Sequence, residues 1–140
     1  MTAEEMWKAS GLTGEYEAWS FGEVPDKLAD LVVNSKKRAT SSAYAVYEAE
    51  DEETPKAGEY SIILNSKDEA VCIIKTIKVG FVPFKEVSAE FAAKEGEGDL
   101  SLAYWRDVHQ NFFTEELKEI GMDFSKDMLV VCEEFEVVYK

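Results

Sequence analysis

The stretch LADLVVNSKKRATSSAYAVYE, residues 28–48, changes its hydrophobic period at three consecutive cations. Before the cations, apolar residues recur at three- and four-residue steps, and Pro25 suits the first turn of a helix. From Ala39 onward, small or aromatic residues alternate with polar ones, which is the period of a strand with one buried face. The stretch therefore predicts a helix, a basic turn and a strand in direct succession.

Further strands and helices are predicted on both sides of this stretch. A short helix ends at Gly11, residues 16–23 have the pattern of an aromatic loop, and the acidic residues 48–55 suggest an exposed hairpin loop. The predicted strands span residues 39–50, 56–65, 69–79 and 127–140, and the predicted helices span residues 3–10, 24–37 and 100–121. Residues 82–96 have the pattern of a turn followed by a short helix. Strands interrupted by helices without strict βαβ alternation predict an α+β fold with a small, mostly antiparallel sheet or barrel. A chain of 140 residues is expected to form a single domain over residues 1–140.

The acidic composition restricts the possible partners. The chain carries 29 aspartates and glutamates against 15 lysines and arginines, a net charge of −14. A protein that grips duplex nucleic acid needs a broad basic face, because that affinity comes from many neutralised phosphates, and this composition does not supply one. A small basic opening formed by Lys36, Lys37 and Arg38 suits a single nucleotide or a short single strand better than a duplex.

The sequence contains no signal for targeting or for metal binding. The first ten residues are acidic rather than basic, and no apolar run approaches the roughly 20 residues of a membrane span, so we expect a cytoplasmic protein with no membrane partner. Cys72 and Cys132 lie in apolar strand patterns without metal-ligand spacing, so we expect free buried thiols, no metal and no cofactor. The oligomeric state stays open between a monomer and a homodimer.

Two polar segments are candidates for chemistry. In SKKRATSS, residues 35–42, Lys37 is crowded by two neighbouring cations and can act as a base or as a cationic stabiliser beside the hydroxyl of Thr40. In KEGEGD, residues 94–99, glycines alternate with three carboxylates, which repel one another unless a cation lies nearby. The ordinary alternatives are a solvated helix end and a polar helix entry capped by Asp99.

The long predicted helix carries an aromatic stripe. Trp105 and His109 belong to that stripe, and a lone histidine among aromatic residues is more often structural than catalytic. Arg106 lies off the stripe, where it can reach the acidic loop or an anionic ligand, or form an ordinary surface ion pair. Trp19 and Tyr60 are candidates for stacking a nucleobase, with core packing as the alternative.

Over nearly the whole chain, these segments resemble the bacterial ASCH domain proteins. The resemblance is carried by WSFGE at residues 19–23, by the basic stretch, and above all by EGEGDLSLAYWR at residues 95–106, which is typical of one bacterial subgroup. ASCH domains are similar to PUA domains, small RNA-binding pseudo-barrels with a cleft between the barrel and its helices. The family motif Gly-x-Lys-x-x-Thr falls on Ser35, Lys37 and Thr40, so a serine stands where glycine is usual.

This resemblance implies a protein that binds RNA or a modified nucleoside. One group of small ASCH proteins hydrolyses N(4)-acetylcytidine with a lysine, a threonine and a glutamate, which correspond here to Lys37, Thr40 and Glu95. Other members bind RNA or cleave single-stranded RNA, so a ribonuclease and a non-catalytic RNA-binding module are the alternatives. The acetylcytidine hydrolases carry an arginine where this chain has Ser42. The remaining candidate ligand-binding residues are Lys36, Arg38, Ser42, Trp19, Tyr60 and Arg106.

The resemblance also assigns roles within such a hydrolase. Thr40 would be the nucleophile or position the attacking water, Lys37 would be the base or activate the amine, and Glu95 would orient Lys37 and pass a proton to the leaving amine. A shared site requires the acidic loop to fold against the basic turn. We therefore expect the Glu95 carboxylate within hydrogen-bonding reach of the Lys37 ammonium. A nuclease would instead use the cations to hold a phosphate and stabilise its transition state.

Overall fold

A curled five-stranded sheet forms the centre of the computed structural model, which describes residues 1–22 and 24–140. Its strands are β1 (Glu17–Ser20), β2 (Ala39–Ala43), β3 (Tyr60–Leu64), β4 (Ala70–Pro83) and β5 (Leu129–Tyr139). The helices are α1 (Ala3–Ser10), α2 (Pro25–Val33), α3 (Tyr44–Ala49), α4 (Ala89–Lys94) and α5 (Leu102–Glu119), with a 3₁₀ turn at Phe84–Glu86. The strand order is β1-β3-β4-β5-β2, in which β1 pairs with β3 in parallel and the other pairs are antiparallel. The prediction of an α+β fold with a mostly antiparallel, barrel-like sheet is confirmed.

The end of α2 delivers the basic turn to the sheet. Asn34 ends the helix, and Ser35 follows in the left-handed conformation with φ of 59°. The N–H of Ser35 donates to the carbonyl of Val32, and the N–H of Lys36 donates to the carbonyl of Leu31, each at 2.9 Å. These two bonds form a Schellman motif, whose left-handed position favours glycine. This geometry accounts for the glycine that the Gly-x-Lys-x-x-Thr motif usually carries at the position of Ser35.

Three segments differ from the sequence prediction. The predicted strand 39–50 pairs with β5 only as far as Ala43 and continues as the helix α3 from Tyr44, because an alternation over so few residues does not separate strand from helix. Residues 17–20, predicted as loop, form β1, whose partner β3 is distant in the chain and leaves no local signal. Residues 48–55 do not form a hairpin loop, since β2 and β3 are not neighbours in the sheet.

Alternation along the strands gives the sheet two faces. On the face that we call the α5 face, Ala39 and Cys132 pack with residues of α4 and α5. On the opposite side, the α2 face, Ile74 and Phe135 pack with residues of α2. A further cluster beneath α1 consists of Met6, Trp7, Ile62 and Ile73. Because residues two apart in a strand share a face, neighbouring side chains of β2 point to different clusters.

Candidate functional site

The buried ammonium of Lys37 is the centre of the candidate site. Lys37 is 2% exposed, although lysine is almost never fully buried unless it is paired. Its Nζ lies 3.2 Å from Oε1 of Glu95 and 3.1 Å from Oε2 of Glu97. The same Nζ lies 5.5 Å from the centre of the Phe21 ring, within cation–π distance. The predicted contact between Lys37 and Glu95 is confirmed, and Lys37 is the cation that the crowded carboxylates of the acidic loop require.

Gly96 lets the acidic loop lie directly against the basic turn. Its φ is +71°, and a Cβ atom at this position would lie 2.1 Å from the carbonyl oxygen of Lys36. No side chain fits at that distance, so conformation and space both require glycine. Close to the loop, the carbonyl of Lys94 accepts a hydrogen bond from the N–H of Arg38 at 2.7 Å. Backbone contacts therefore fix the approach of the two segments that supply the cation and the carboxylates.

Glu95 is buried among hydrogen-bond donors. Its Oε2 accepts hydrogen bonds from the Ser41 hydroxyl at 2.8 Å and from the indole Nε1 of Trp105. Nε2 of His109 lies 3.5 Å from the same oxygen, and Nδ1 of that ring lies 2.9 Å from the Trp105 carbonyl oxygen. Burial acts to raise the pKa of Glu95, but hydrogen bonding by His109 and the charge of Lys37 outweigh burial and lower the pKa to about 2. Glu95 is therefore a carboxylate at neutral pH.

Thr40 faces away from Glu95. Its neighbour Ser41 is the hydroxyl that reaches Glu95 from the α5 face, so strand alternation directs Thr40 to the α2 face. The register between β2 and β5 places Thr40 directly opposite Glu133 on that face. Lys37 borders the α2 face as well, through its cation–π contact with an aromatic ring of the α2-face cluster. Of the predicted trio, Lys37 and Glu95 are therefore in direct contact, whereas Thr40 points to the other face of β2.

A second carboxyl group, which is half-buried, lies on the α2 face. Oε2 of Glu133 accepts a hydrogen bond from the Thr76 hydroxyl at 2.6 Å. Burial raises the pKa of Glu133, the bond from Thr76 opposes that change, and the negative charges of Glu59 and Glu17 add to it. The two faces therefore carry carboxyl groups of opposite character, Glu95 with a lowered pKa and Glu133 with a raised one.

Three of the predicted ligand-binding residues border the site. Lys36 and Arg38 are exposed on either side of the buried lysine in the sequence. Trp19 packs edge-on against Phe21, with ring centroids 4.7 Å apart, so this aromatic pair extends from the ammonium along the α2 face. These three side chains offer two surface cations and one aromatic surface next to the buried ion pairs.

Ser42, Tyr60 and Arg106 have other contacts. The Ser42 hydroxyl lies 2.9 Å from the phenol oxygen of Tyr47. The ring of Tyr60 packs against Trp7 beneath α1, with centroids 5.5 Å apart. Arg106 donates from Nη2 to a backbone carbonyl of the 3₁₀ turn at 2.9 Å instead of reaching the acidic loop. Tyr60 and Arg106 are therefore engaged in packing and in a backbone contact away from the buried lysine.

Sequence patterns gave no site role to four residues that contact or adjoin the trio, which are Ser41, Trp105, His109 and Glu133. Strand alternation carried a signal for Ser41, because two adjacent hydroxyls in a strand face opposite sides. The acidic pair in VVCEEFEVV, residues 130–138, marked polar groups in an apolar strand. Which of the pair is buried depends on the sheet register, which no local pattern reports.

Among the described residues, no helix combines the length and the apolar character that crossing a membrane requires.

Comparisons with known proteins identify relatives of this chain. Residues 17–139 match the family model of the ASCH domain. The crystal structure of an ASCH domain from Lactobacillus crispatus is 33% identical, with a TM-score of 0.92 over 98% of this chain and 94% of that chain. The crystal structure of a protein from Enterococcus faecalis V583 is 38% identical, with a TM-score of 0.86 over 97% of this chain and 85% of that chain. A third structure, of a hypothetical protein, is 19% identical with a TM-score of 0.56 over 88% of this chain and 99% of that chain, and shows likeness of fold alone. No curated protein matches the sequence.

Proposed function

This chain belongs to the ASCH domain family, and on that premise we propose that it binds a modified nucleoside beside Lys37 and hydrolyses the amide of N(4)-acetylcytidine. The family has a PUA-like fold that is often linked to RNA binding, which supports a ligand that contains a nucleobase. Trp19 is partly exposed and packs against Phe21, whose ring lies next to the ammonium, so Trp19 supplies a surface on which a base can stack. The ligand therefore enters from the α2 face.

The charge balance around Lys37 is the observation that carries this proposal. One ammonium faces the carboxylates of Glu95 and Glu97, both within 3.2 Å, so the cluster has a formal charge of one negative unit. A phosphate brought to this cluster would meet net repulsion, whereas an uncharged base would not. The cluster therefore favours a hydrolase acting on a neutral amide over a nuclease that holds a phosphate at Lys37.

Lys37 acts in this proposal as a hydrogen-bond donor to the acetyl carbonyl oxygen. An ammonium has three N–H donors, of which two are held by the side chains of Glu95 and Glu97. The third faces the backbone carbonyl of Glu95 at 3.4 Å, a long bond that a ligand oxygen can replace. When water attacks the amide and the carbonyl oxygen becomes negative, this donor stabilises the developing charge. Thr40, on the adjoining face, positions the attacking water.

Glu95 orients Lys37 in this mechanism and does not pass a proton. Its pKa of about 2 makes it a weak base that does not readily take up a proton from the attacking water, so it has none to pass to the leaving amine. Its oxygens are also occupied by donors, Lys37 at Oε1 and Ser41 at Oε2. The orienting role that the resemblance implied for Glu95 is retained in the proposal, and the proton-shuttling role is not.

Exposed cations favour a second mode of binding at the same place. Lys36 and Arg38 are both solvent-exposed, so the phosphates of a short single-stranded RNA can lie across the mouth of the site. In this mode the protein is an RNA-binding module or a ribonuclease.

Acetate release from N(4)-acetylcytidine tests the proposal. Lys37→Met keeps the apolar stem, removes the donor and should lower kcat about 100-fold or more. Lys36→Met makes the same chemical change at an exposed position and should stay within about twofold of wild type, because surface charges contribute little. Cleavage of single-stranded RNA is assayed in parallel. A wild-type protein that releases no acetate contradicts the hydrolase, and full activity in Lys37→Met contradicts the site.

A charge-balanced variant separates catalysis from folding. Lys37→Met alone leaves buried carboxylates without their cation, which costs about 3–5 kcal/mol of stability. Lys37→Met combined with Glu95→Gln removes one charge of each sign. If this double variant unfolds cooperatively on heating and is inactive, the activity loss belongs to the missing pair of Lys37 and Glu95 and not to a lost fold.

A further inference from the structure

Glu133 is a carboxyl group at the candidate site to which the mechanism above gives no role. It lies on β5 directly opposite Thr40 of β2, and directly opposed residues of an antiparallel pair have Cβ atoms about 4.5–5.5 Å apart on the same face. From β4, on the other side of β5, the Thr76 hydroxyl donates to Oε2 of Glu133 at 2.6 Å. Glu133 therefore lies in the middle of three adjacent strands, between two threonines.

We propose that Glu133 is the proton-transfer residue of this site, accepting a proton from the attacking water and returning it to the leaving amine. This inference rests on the proposed amide hydrolysis and deepens it, because it assigns the one step that Glu95 cannot perform.

Glu95 and Glu133 differ in position as well as in charge, because they lie on opposite faces of the sheet. Glu95 lies on the α5 face, with Lys37 at Oε1 and Ser41 and Trp105 at Oε2. Glu133 lies on the α2 face, where the proposed water and amide are placed. Among the described residues it accepts one side-chain hydrogen bond, at Oε2, which leaves Oε1 for water or for the ligand.

The proposed step conserves atoms and protons. The water oxygen forms a bond to the acetyl carbon while one water proton moves to the Glu133 carboxylate. The carbon–nitrogen bond then breaks, and the Glu133 carboxyl gives that proton to the departing nitrogen. The products are cytidine with a neutral amine and acetic acid, and Glu133 returns to its carboxylate form. One residue thus serves as base and then as acid.

The surroundings of Glu133 suit a group that must both accept and release a proton. Burial raises its pKa, the hydrogen bond from Thr76 opposes that change, and the charges of Glu59 and Glu17 raise it further. The Tyr47 phenol of α3 is close enough that its own pKa, raised first by burial, is raised further by the charge of Glu133. A carboxyl group with a raised pKa exchanges protons near neutral pH more readily than an ordinary one.

Glu133→Gln tests the inference with N(4)-acetylcytidine as the probe. The amide keeps the shape and an oxygen for Thr76 but cannot carry the proton, so kcat should fall about 100-fold or more, while KM changes by less than about threefold. The acid limb of the pH–rate profile should disappear, and Glu133→Asp should recover part of the rate. The matched control is Glu134→Gln, the next residue on the opposite face, which pairs with Lys94 at 2.7 Å and should keep the wild-type rate.

The outcomes distinguish this inference from the proposed function. Wild-type acetate release with an equally active Glu133→Gln overturns the role of Glu133 and leaves the hydrolase in place. A wild-type protein without acetate release overturns both. We also expect Glu133→Gln to be at least as stable as wild type at pH 7 to 8, because it removes a half-buried carboxyl group with a raised pKa that must ionise there. A variant that is inactive and also less stable would indicate a structural residue and would overturn the inference.

Discussion

Glu95 is buried and Glu133 is half-buried, and the pKa values of these two acidic residues move in opposite directions. Burial acts to raise both values. Glu95 in addition receives hydrogen bonding from His109 and the charge of Lys37, whereas Glu133 has the Thr76 hydroxyl and further carboxylates nearby. The number and charge of the partners, more than the depth of burial, therefore decide the direction in which the pKa of each carboxyl group moves.

Acid should destabilise the protein partly through Glu95. Its pKa of about 2 in the folded chain lies below its ordinary value of 4.5. A carboxyl group whose pKa is lower in the folded chain than in the unfolded chain stabilises the fold, and this contribution is fully present at pH values above the unfolded pKa. For Glu95 the contribution is lost as the pH falls from about 4.5, the unfolded pKa, to about 2, the folded pKa. Glu95→Gln should therefore flatten the free energy of unfolding over that window and lower it at pH 7 by about 3–5 kcal/mol.

Denaturant unfolding at a series of pH values measures both effects of Glu95→Gln. Glu90→Gln is the control, because this carboxylate of α4 is 83% exposed and should leave the pH dependence unchanged. If Glu95→Gln lost stability on acidification as steeply as wild type, another carboxylate would govern the acid transition.

Ser35→Gly should stabilise the domain by about 1 kcal/mol, because a left-handed conformation is unfavourable for a residue with a side chain. Ser35 has φ of 59° at the end of α2. Asn34→Gly is the control, since Asn34 has φ of −92° and gains nothing from glycine. The urea midpoints of the two variants should move in different directions from wild type. Equal shifts of the two midpoints would show that the left-handed conformation of Ser35 does not lower the stability of the domain.

At the scale of elements, the approach of the acidic loop to the basic turn builds the candidate site. Gly96→Ala should weaken this approach, because its Cβ would lie 2.1 Å from the carbonyl oxygen of Lys36. Gly11→Ala is the matched control, with φ of +76° and nothing within 4 Å of the added Cβ. The control should lose about 1–2 kcal/mol for its conformation alone, and Gly96→Ala more, with a lower kcat as Lys37 is displaced. Equal losses in the two variants would contradict a special contact at Gly96.

Charge and glycine spacing predicted this approach from the sequence, because a basic turn and a flexible acidic loop attract each other. The same patterns did not show which of Thr40 and Ser41 faces Glu95, because that depends on which face of the sheet α5 covers. The change from β2 to α3 at Tyr44 was also missed, because the alternation there covers a six-residue helix. Strand β1 was missed because its partner β3 follows the whole α2–α3 segment. Local periodicity reports local structure, and these features are set by contacts between distant segments.

For the whole molecule, the charge distribution limits RNA binding. With a net charge of −14 and Lys37 held by two carboxylates, the exposed Lys36 and Arg38 are the cations of the basic turn that phosphates can reach. Two contacts to a single strand predict a slope of about −1.4 for the logarithm of affinity against the logarithm of salt concentration. Fluorescence anisotropy with a short single-stranded RNA measures this slope. Replacing both cations by glutamine should bring the slope close to zero, and a wild-type slope several-fold steeper would reveal a basic surface outside this turn.

The fold class and the family were predictable from the sequence, because most helix ends and strand patterns agreed with a specific motif. The Lys37 and Glu95 contact was predictable for the same reason. The juxtaposition of Thr40 with Glu133 was not, since it depends on the register between β2 and β5, which lie near opposite ends of the chain. The sequence therefore indicated the candidate residues on one side of the proposed site, and the pairing of residues on the other side became visible only in the structure.

A crystal structure of Thr40→Val soaked with N(4)-acetylcytidine tests the central claim most directly, because this variant keeps the shape of Thr40 and is expected to slow turnover. The proposed site predicts the acetyl oxygen within about 3.2 Å of Nζ of Lys37, with the amide nitrogen towards Glu133 on the α2 face. Ligand density elsewhere, for example against Tyr60 beneath α1, with Lys37 still fully held by Glu95 and Glu97, would contradict it.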